Sequence, residues 1–351
     1  MSNTVRNRYR IAVILTAIVL AFAAGMTVYV MRLRSYAAVT FHMDTYVSYD
    51  IRCSRPERAV RMMEAAVKRC EELFNRFDPS SEIARINENA GAPVEVSEDT
   101  YAFIYRALRL AEETGGSFDP TVGALSDLWG FGSVPHVPDP GELTECLKSV
   151  GYGKTVLYCE DNKYYVRAGE GQKLDLGAIA KGYALNEMSM AAYRANCTEG
   201  IISLGGNVLL LGSGQDGSGY KVGIRCPDEN SNSSVVTVVL ENTVLSTSGS
   251  YERFFFEEGV RYCHIIDPRT GDCSEKDLKS VTVICEDPVV ADCMSTAYYV
   301  MGIDRTLDAL ASGEISGMAI DTSGVIYVSE DLTDRIVPGS VAEGYELEVV
   351  G

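Results

Sequence analysis

KLDLGAIAKGYALNEM, residues 173–188, is the stretch on which the fold turns. Leu174 and Leu176 alternate as a half-buried strand would, whereas Ile179, Tyr183, Ala184, Met188 and Ala191 recur at helical spacing, so the period changes at Gly177. A glycine there lets the backbone turn sharply, and the first N–H groups of the new helix have no partners inside it. The corner is either an anion site flanked by Asp175 and Lys181 or an ordinary strand-to-helix corner with a surface ion pair.

On the N-terminal side, Val39, Phe41, Met43, Val47, Tyr49 and Ile51 keep period two and predict a strand. Arg55-Pro56 opens a helix whose stripe is Ala59, Met63, Ala66, Cys70 and Phe74, and Ser97 caps another that Gly115-Gly116 stops. Towards the C-terminus, strands are expected over 220–226, 235–240, 261–266, 281–285, 318–320 and 325–328. Helices are expected from Pro288 to about Met301 and from Arg305. Strands and helices mix without regular βαβ alternation, which indicates α+β rather than a doubly wound sheet.

The 351 residues carry a net charge of −18, but residues 1–35 hold Arg6, Arg8, Arg10, Arg32 and Arg34 and no acid, leaving −23 on the rest. Such a domain repels nucleic acid and needs a lysine or a metal to hold an anionic substrate. Residues 11–31 are free of charge and, at about 1.5 Å per residue, long enough to cross a bilayer core. They predict a transmembrane anchor (domain 1–35), with a cleaved signal peptide as the alternative because AFAAG at residues 21–25 offers small residues at a plausible cleavage position. The flanking arginines place the 36–351 domain outside the cytoplasm, on a single-pass cell-membrane protein. All ten cysteines lie in that domain, in apolar settings without CxxC spacing, and read mostly as small buried residues.

Four stretches hold more polar residues than packing requires. In residues 114–132, Phe118-Asp119-Pro120 sets an acid in a rigid turn beside a ring able to stack on a flat ligand. Residues 201–212 end a strand in Gly205-Gly206-Asn207, which is either a ligand approach or a plain hairpin turn. Residues 245–271 contain His264, a candidate general base or a strand histidine bonded to backbone. In residues 291–302, Asp292, Ser295 and Thr296 fall at i, i+3 and i+4. Their oxygens share one helix face suited to Mg2+, unless they serve only as caps or surface polarity.

In this order, FDPTVGALSDLWGFG, LDLGAIAKGYA, SLGGN, TSGSYER with HIIDPRTG, and ADCMSTA resemble the ApbE family of FAD:protein FMN transferases. The resemblance runs from Met43 to about Gly302. It implies a single α+β domain that binds FAD and Mg2+ and moves FMN to a threonine or serine of a partner flavoprotein, releasing AMP. By resemblance, FAD contacts fall on Met43, Phe77, Ser117, Phe118, Asp119, Asp175, Lys181, Asn207 and Ile266, and metal contacts on the Ala178 carbonyl, Asp292, Ser295 and Thr296. His264 matches the family's essential histidine. The pattern is broken at Phe77 (a tyrosine in the family's YRPDS loop), Asp44 (glycine in MGT), Asn207 (aspartate in GGD) and Ser250 (aspartate in SGDY); Ser295 replaces a carboxylate of some relatives. The alternatives to transfer are FAD binding alone and Mg2+-dependent cleavage of FAD to FMN and AMP.

Overall fold

The computed structural model describes residues 3–31, 33–228, 231, 233–273 and 276–351, excepting the side chains of 3–11 and 27–31. Nine strands form one sheet whose spatial order follows chain order: Arg34–His42, Thr45–Cys53, Gly200–Leu204, Asn207–Leu211, Val244–Gly249, Leu278–Cys285, Ser316–Asp321, Val325–Ser329 and Glu346–Val350. All neighbours are antiparallel except the last pair, which is parallel. Antiparallel neighbours need no crossover, so helices enter as insertions between adjacent strands. Residues 54–199 are one insertion, between the second and third strands; residues 286–315 are another and carry helix Pro288–Met301.

Val47, Tyr49 and Ile51, opposite Leu204, Ile202 and Gly200, are buried on the face that packs against helices Pro56–Phe74, Gly177–Arg194 and Pro288–Met301. Leu210, Leu245, Ile284, Met318 and Ile320 point to the other face and share a core with the hairpin Tyr220–Arg225 and Ser234–Leu240. This burial of both faces explains the apolar runs in the middle strands. Most of the cysteines are buried, as expected of small core residues. The α+β expectation holds.

Four local expectations change. The period-two run from Val39 to Ile51 is a hairpin, not one strand, turning at Met43-Asp44 with φ of 52° and 57°. A two-residue turn pairs Thr40 with Val47 and Phe41 with Tyr46, so Val39 and Phe41 face solvent, opposite in sense to Val47 and Tyr49. The strand expected before Gly177 is only a single bridge, Val122 to Lys173. The Asn87 side chain satisfies Leu174 instead: its Oδ1 accepts from the Leu174 N–H at 2.6 Å and its Nδ2 donates to the carbonyl at 2.9 Å. The strand expected over 261–266 stops at Cys263, because its partner strand Phe254–Glu257 begins opposite that residue. Finally, a helix spans Asn3–Met31, but among the described residues none is long and apolar enough to cross a membrane. The expected span falls partly on side chains outside the described residues, those at 11 and 27–31, and its described part, 12–26, is exposed.

Candidate active site

The corner at Gly177 is built by its own acid. Asp175 Oδ1 accepts from the Gly177 N–H at 2.9 Å, so the first donor of the helix is already used. Asp175 Oδ2 lies 2.9 Å from Arg76 Nε, an ion pair without hydrogen-bond alignment. Arg76 also reaches Asp127, which Lys173 holds from the other side at 2.6 Å, and its guanidinium lies 4.3 Å from the centroid of the Phe77 ring. Burial raises the Asp127 pKa, but the hydrogen bonds and charges of Lys173 and Arg76 outweigh it and leave a net lowering. This network ties the exposed Phe77 ring to Asp175.

Helices Gly177–Arg194 and Pro288–Met301 meet at Gly182. A Cβ there would sit 2.3 Å from the Pro288 carbonyl oxygen and 2.8 Å from Asp292 Cβ, so only glycine permits the approach. The buried Asp292 carboxylate consequently reaches the backbone of the other helix. Its Oδ2 accepts from the Gly182 N–H at 2.8 Å, and its Oδ1 accepts from Asn207 Nδ2 at 2.7 Å and lies 3.8 Å from Lys181 Nζ. In a regular helix the Gly182 N–H serves the Ala178 carbonyl, which here loses or shares that donor. One turn along, Ser248 Oγ stands 2.9 Å from both Ser295 Oγ and Thr296 Oγ1, and Ser295 Oγ also donates to the Asp292 carbonyl at 3.0 Å.

His264 lies just past its strand, with its N–H bonded to the Arg253 carbonyl. The loop after it is closed by Asp267 N–H to Asp272 O at 2.8 Å, and Trp129 Nε1 donates to Gly271 O at 2.8 Å. His264 is exposed to solvent, with protein crowded around its ring. That crowding, then the charges of Lys181 and Arg253, pulls its pKa from 6.5 down to about 4. The ring is therefore unprotonated at pH 7, a proton acceptor weakened by the field of Lys181. Ile266 is buried with Leu125, Trp129 and Cys273 in a satellite core.

Among the remaining candidates, the reading of Phe118 as a free stacking ring changes. Its ring is 3% exposed and belongs to the main core, so it has no free face for stacking. Asp119 is buried; desolvation raises its pKa against the hydrogen bonds it accepts from Thr121 and the Tyr152 N–H. Ser117 is buried beside them, and the turn is joined to the Gly177 corner by Asp175 N–H to Pro120 O at 2.8 Å. Met43 sits at the hairpin tip with its N–H on Glu71. That hairpin abuts the Gly205-Gly206 turn, whose Gly205 N–H donates to Tyr46 O at 3.2 Å.

A family model described as the ApbE family matches residues 43–320. The chain belongs to the ApbE family. An FAD:protein FMN transferase of Treponema pallidum is 31% identical over 333 residues, covering 87% of this chain and 90% of that protein. The Haemophilus influenzae enzyme of the same name is 30% identical over 267 residues, covering 74% and 77%. The solved ApbE protein of Thermotoga maritima shares the fold with a TM-score of 0.79 at 33% identity, covering 85% of this chain and 98% of that one. The flavin transferase ApbE from Vibrio cholerae gives 0.75 at 25%, covering 86% and 99%.

In this ApbE chain the structure brings Lys181, Asn207, Asp292, Ser295 and Thr296 into one cluster, with the field of Lys181 reaching His264. Sequence reading missed Gly182, Ser248, Arg76 and Asn87. Gly182 and Ser248 lie inside quoted motifs and were findable there; Asn87 carries no local signal, since its partner is Leu174, far along the chain.

Proposed function

We propose that this chain transfers FMN from FAD to a threonine or serine hydroxyl of an extracytoplasmic flavoprotein, releasing AMP. The observation that carries this reading is the cluster in which Asp292 meets the Gly182 N–H, Asn207 and Lys181, with His264 within the field of that lysine. His264 takes the proton of the acceptor hydroxyl, whose oxygen forms a bond to the FMN phosphorus as the bond from that phosphorus to the AMP oxygen breaks. Lys181 offsets diphosphate charge in an otherwise acidic domain, Phe77 offers an exposed ring to the flavin, and the hairpin at Met43 and the turn at Ser117 to Asp119 border the nucleotide.

The donor set fits Mg2+: one carboxylate (Asp292), two hydroxyls (Ser295, Thr296) and a helix carbonyl (Ala178) are all hard oxygens. Substrate phosphates ordinarily complete such a set. When bound, the metal neutralises diphosphate and leaving-group charge. The N-terminal helix Asn3–Met31 acts as the membrane anchor, a reading supported by the charge-free run 11–31 and the arginines around it.

The test is to incubate the protein with FAD, Mg2+ and an acceptor domain and weigh the acceptor. A gain of one FMN is expected, and His264→Ala should bind FAD yet lose transfer. An unlabelled acceptor with FAD intact defeats the proposal and leaves FAD binding alone. Free FMN with an unlabelled acceptor makes the protein a pyrophosphatase.

A further inference from the structure

Building on the reading of Asp292 as a cation ligand, we propose that Asn207 is a positioning residue that fixes the Asp292 carboxylate and turns its own side-chain oxygen to the same cation. The Gly205-Gly206 turn, at φ of 55° and 93°, delivers Asn207 as the first residue of its strand. Leu209 and Leu211, two and four residues on, belong to the core under the helices, so Asn207 points to that face as well. There it is fully buried, and its Nδ2 donates to Asp292 Oδ1 at 2.7 Å. An ionised carboxylate only accepts, so the amide cannot be reversed without setting oxygen against oxygen. Its Oδ1, on the other branch of the same amide, makes no contact with Asp292 itself, and this buried atom has no hydrogen-bond partner.

A buried amide oxygen is ordinarily paired, and an unpaired one beside a carboxylate is what a hard cation uses: Mg2+ and Ca2+ take oxygen ligands, neutral amide carbonyls included. Asp292 Oδ2 is meanwhile fixed by the Gly182 N–H, so each carboxylate oxygen is oriented by a neutral donor and keeps a lone pair free, with the Lys181 ammonium 3.8 Å from Oδ1. Where relatives' GGD pattern supplies a carboxylate, this chain supplies orientation and an oxygen without a second negative charge.

Titrating the full-length protein with Mg2+ alone, by calorimetry, tests this without FAD or acceptor. Asn207→Ala should weaken Mg2+ binding about 10- to 100-fold, and so should the near-isosteric Asn207→Leu, which fills the same space without the amide. Melting temperatures of the metal-free proteins separate binding from folding: a purely structural Asn207 lowers the melting temperature of Asn207→Ala and leaves its Mg2+ affinity alone. Unchanged affinity in Asn207→Ala or in Asn207→Leu overturns the proposal, as does a parent protein that binds no Mg2+. A parent that binds Mg2+ but transfers no FMN removes the transferase reading and leaves this one standing.

Discussion

Gly182 is the residue on which the two halves of the site depend, because it lets a carboxylate on one helix accept from the backbone of another. Gly182→Ala should separate the helices, cost about 1–3 kcal/mol of stability by overpacking, and lower transfer further than that loss explains. Chemical denaturation beside a transfer assay checks this; parent activity in a folded Gly182→Ala protein would refute it. His264 makes a pH prediction of definite sign. Its folded pKa, about 4, lies below the ordinary 6.5, so as the pH falls through 6.5 the unfolded chain gains a proton that the fold refuses. Its contribution to stability is therefore fully present above pH 6.5, is lost progressively down to about 4, and levels off below. The acid limb of kcat/KM due to this residue should correspondingly fall near pH 4. A limb near 6.5 in the parent protein, with none near 4, would contradict the lowered pKa.

At the scale of elements, what was legible in the sequence was local. Ser97 accepts from the Thr100 N–H as a cap should, and the helix begins at Pro288 after Asp287, whose Oδ1 accepts from the Val289 and Val290 N–H groups. Lys181, Asn207, Asp292, Ser295 and Thr296, singled out from separate stretches, also lie together. What could not be read depends on partners distant in the chain. Period two continues through the turn at Met43-Asp44, yet the turn reverses which face each residue takes, and only pairing shows that. Leu174 and Leu176 alternate as strand residues do, but the groups that satisfy Leu174 belong to Asn87. Phe118 reads as a free ring until its core neighbours are known. Asn87→Ala should leave both polar groups of Leu174 unpaired and cost about 2 kcal/mol or more, loosening the corner that carries Asp175. Urea unfolding measures the loss, and a change below about 0.5 kcal/mol, the size of an ordinary surface substitution, would show that the pincer contributes little.

For the whole molecule, the anchor proposal predicts that full-length protein sediments with membranes while residues 34–351 remain in the supernatant. That boundary keeps Arg34 and its pair with Glu57. Equal partitioning of the two would reject the anchor. The monotonic order of the sheet has a further consequence, for the time course of folding. The hairpin Arg34–His42 and Thr45–Cys53 is made early, but the strand it must join, Gly200–Leu204, follows an insertion that contains half the site. Joining them closes a loop of about 150 residues, whose entropy must be spent before the contacts of Val47, Tyr49 and Ile51 repay it. We predict that docking of this hairpin is the late event in refolding, so that pulse-labelled amides of 45–53 facing Gly200–Leu204 gain protection after those of helix Pro288–Met301. Protection in the reverse order would disprove it. A chain synthesised from its N-terminus would then carry an unfinished sheet edge until the insertion is complete, and the Lys181–Asn207–Asp292 cluster, whose members come from the insertion and from chain beyond it, would be among the last parts of the protein to exist.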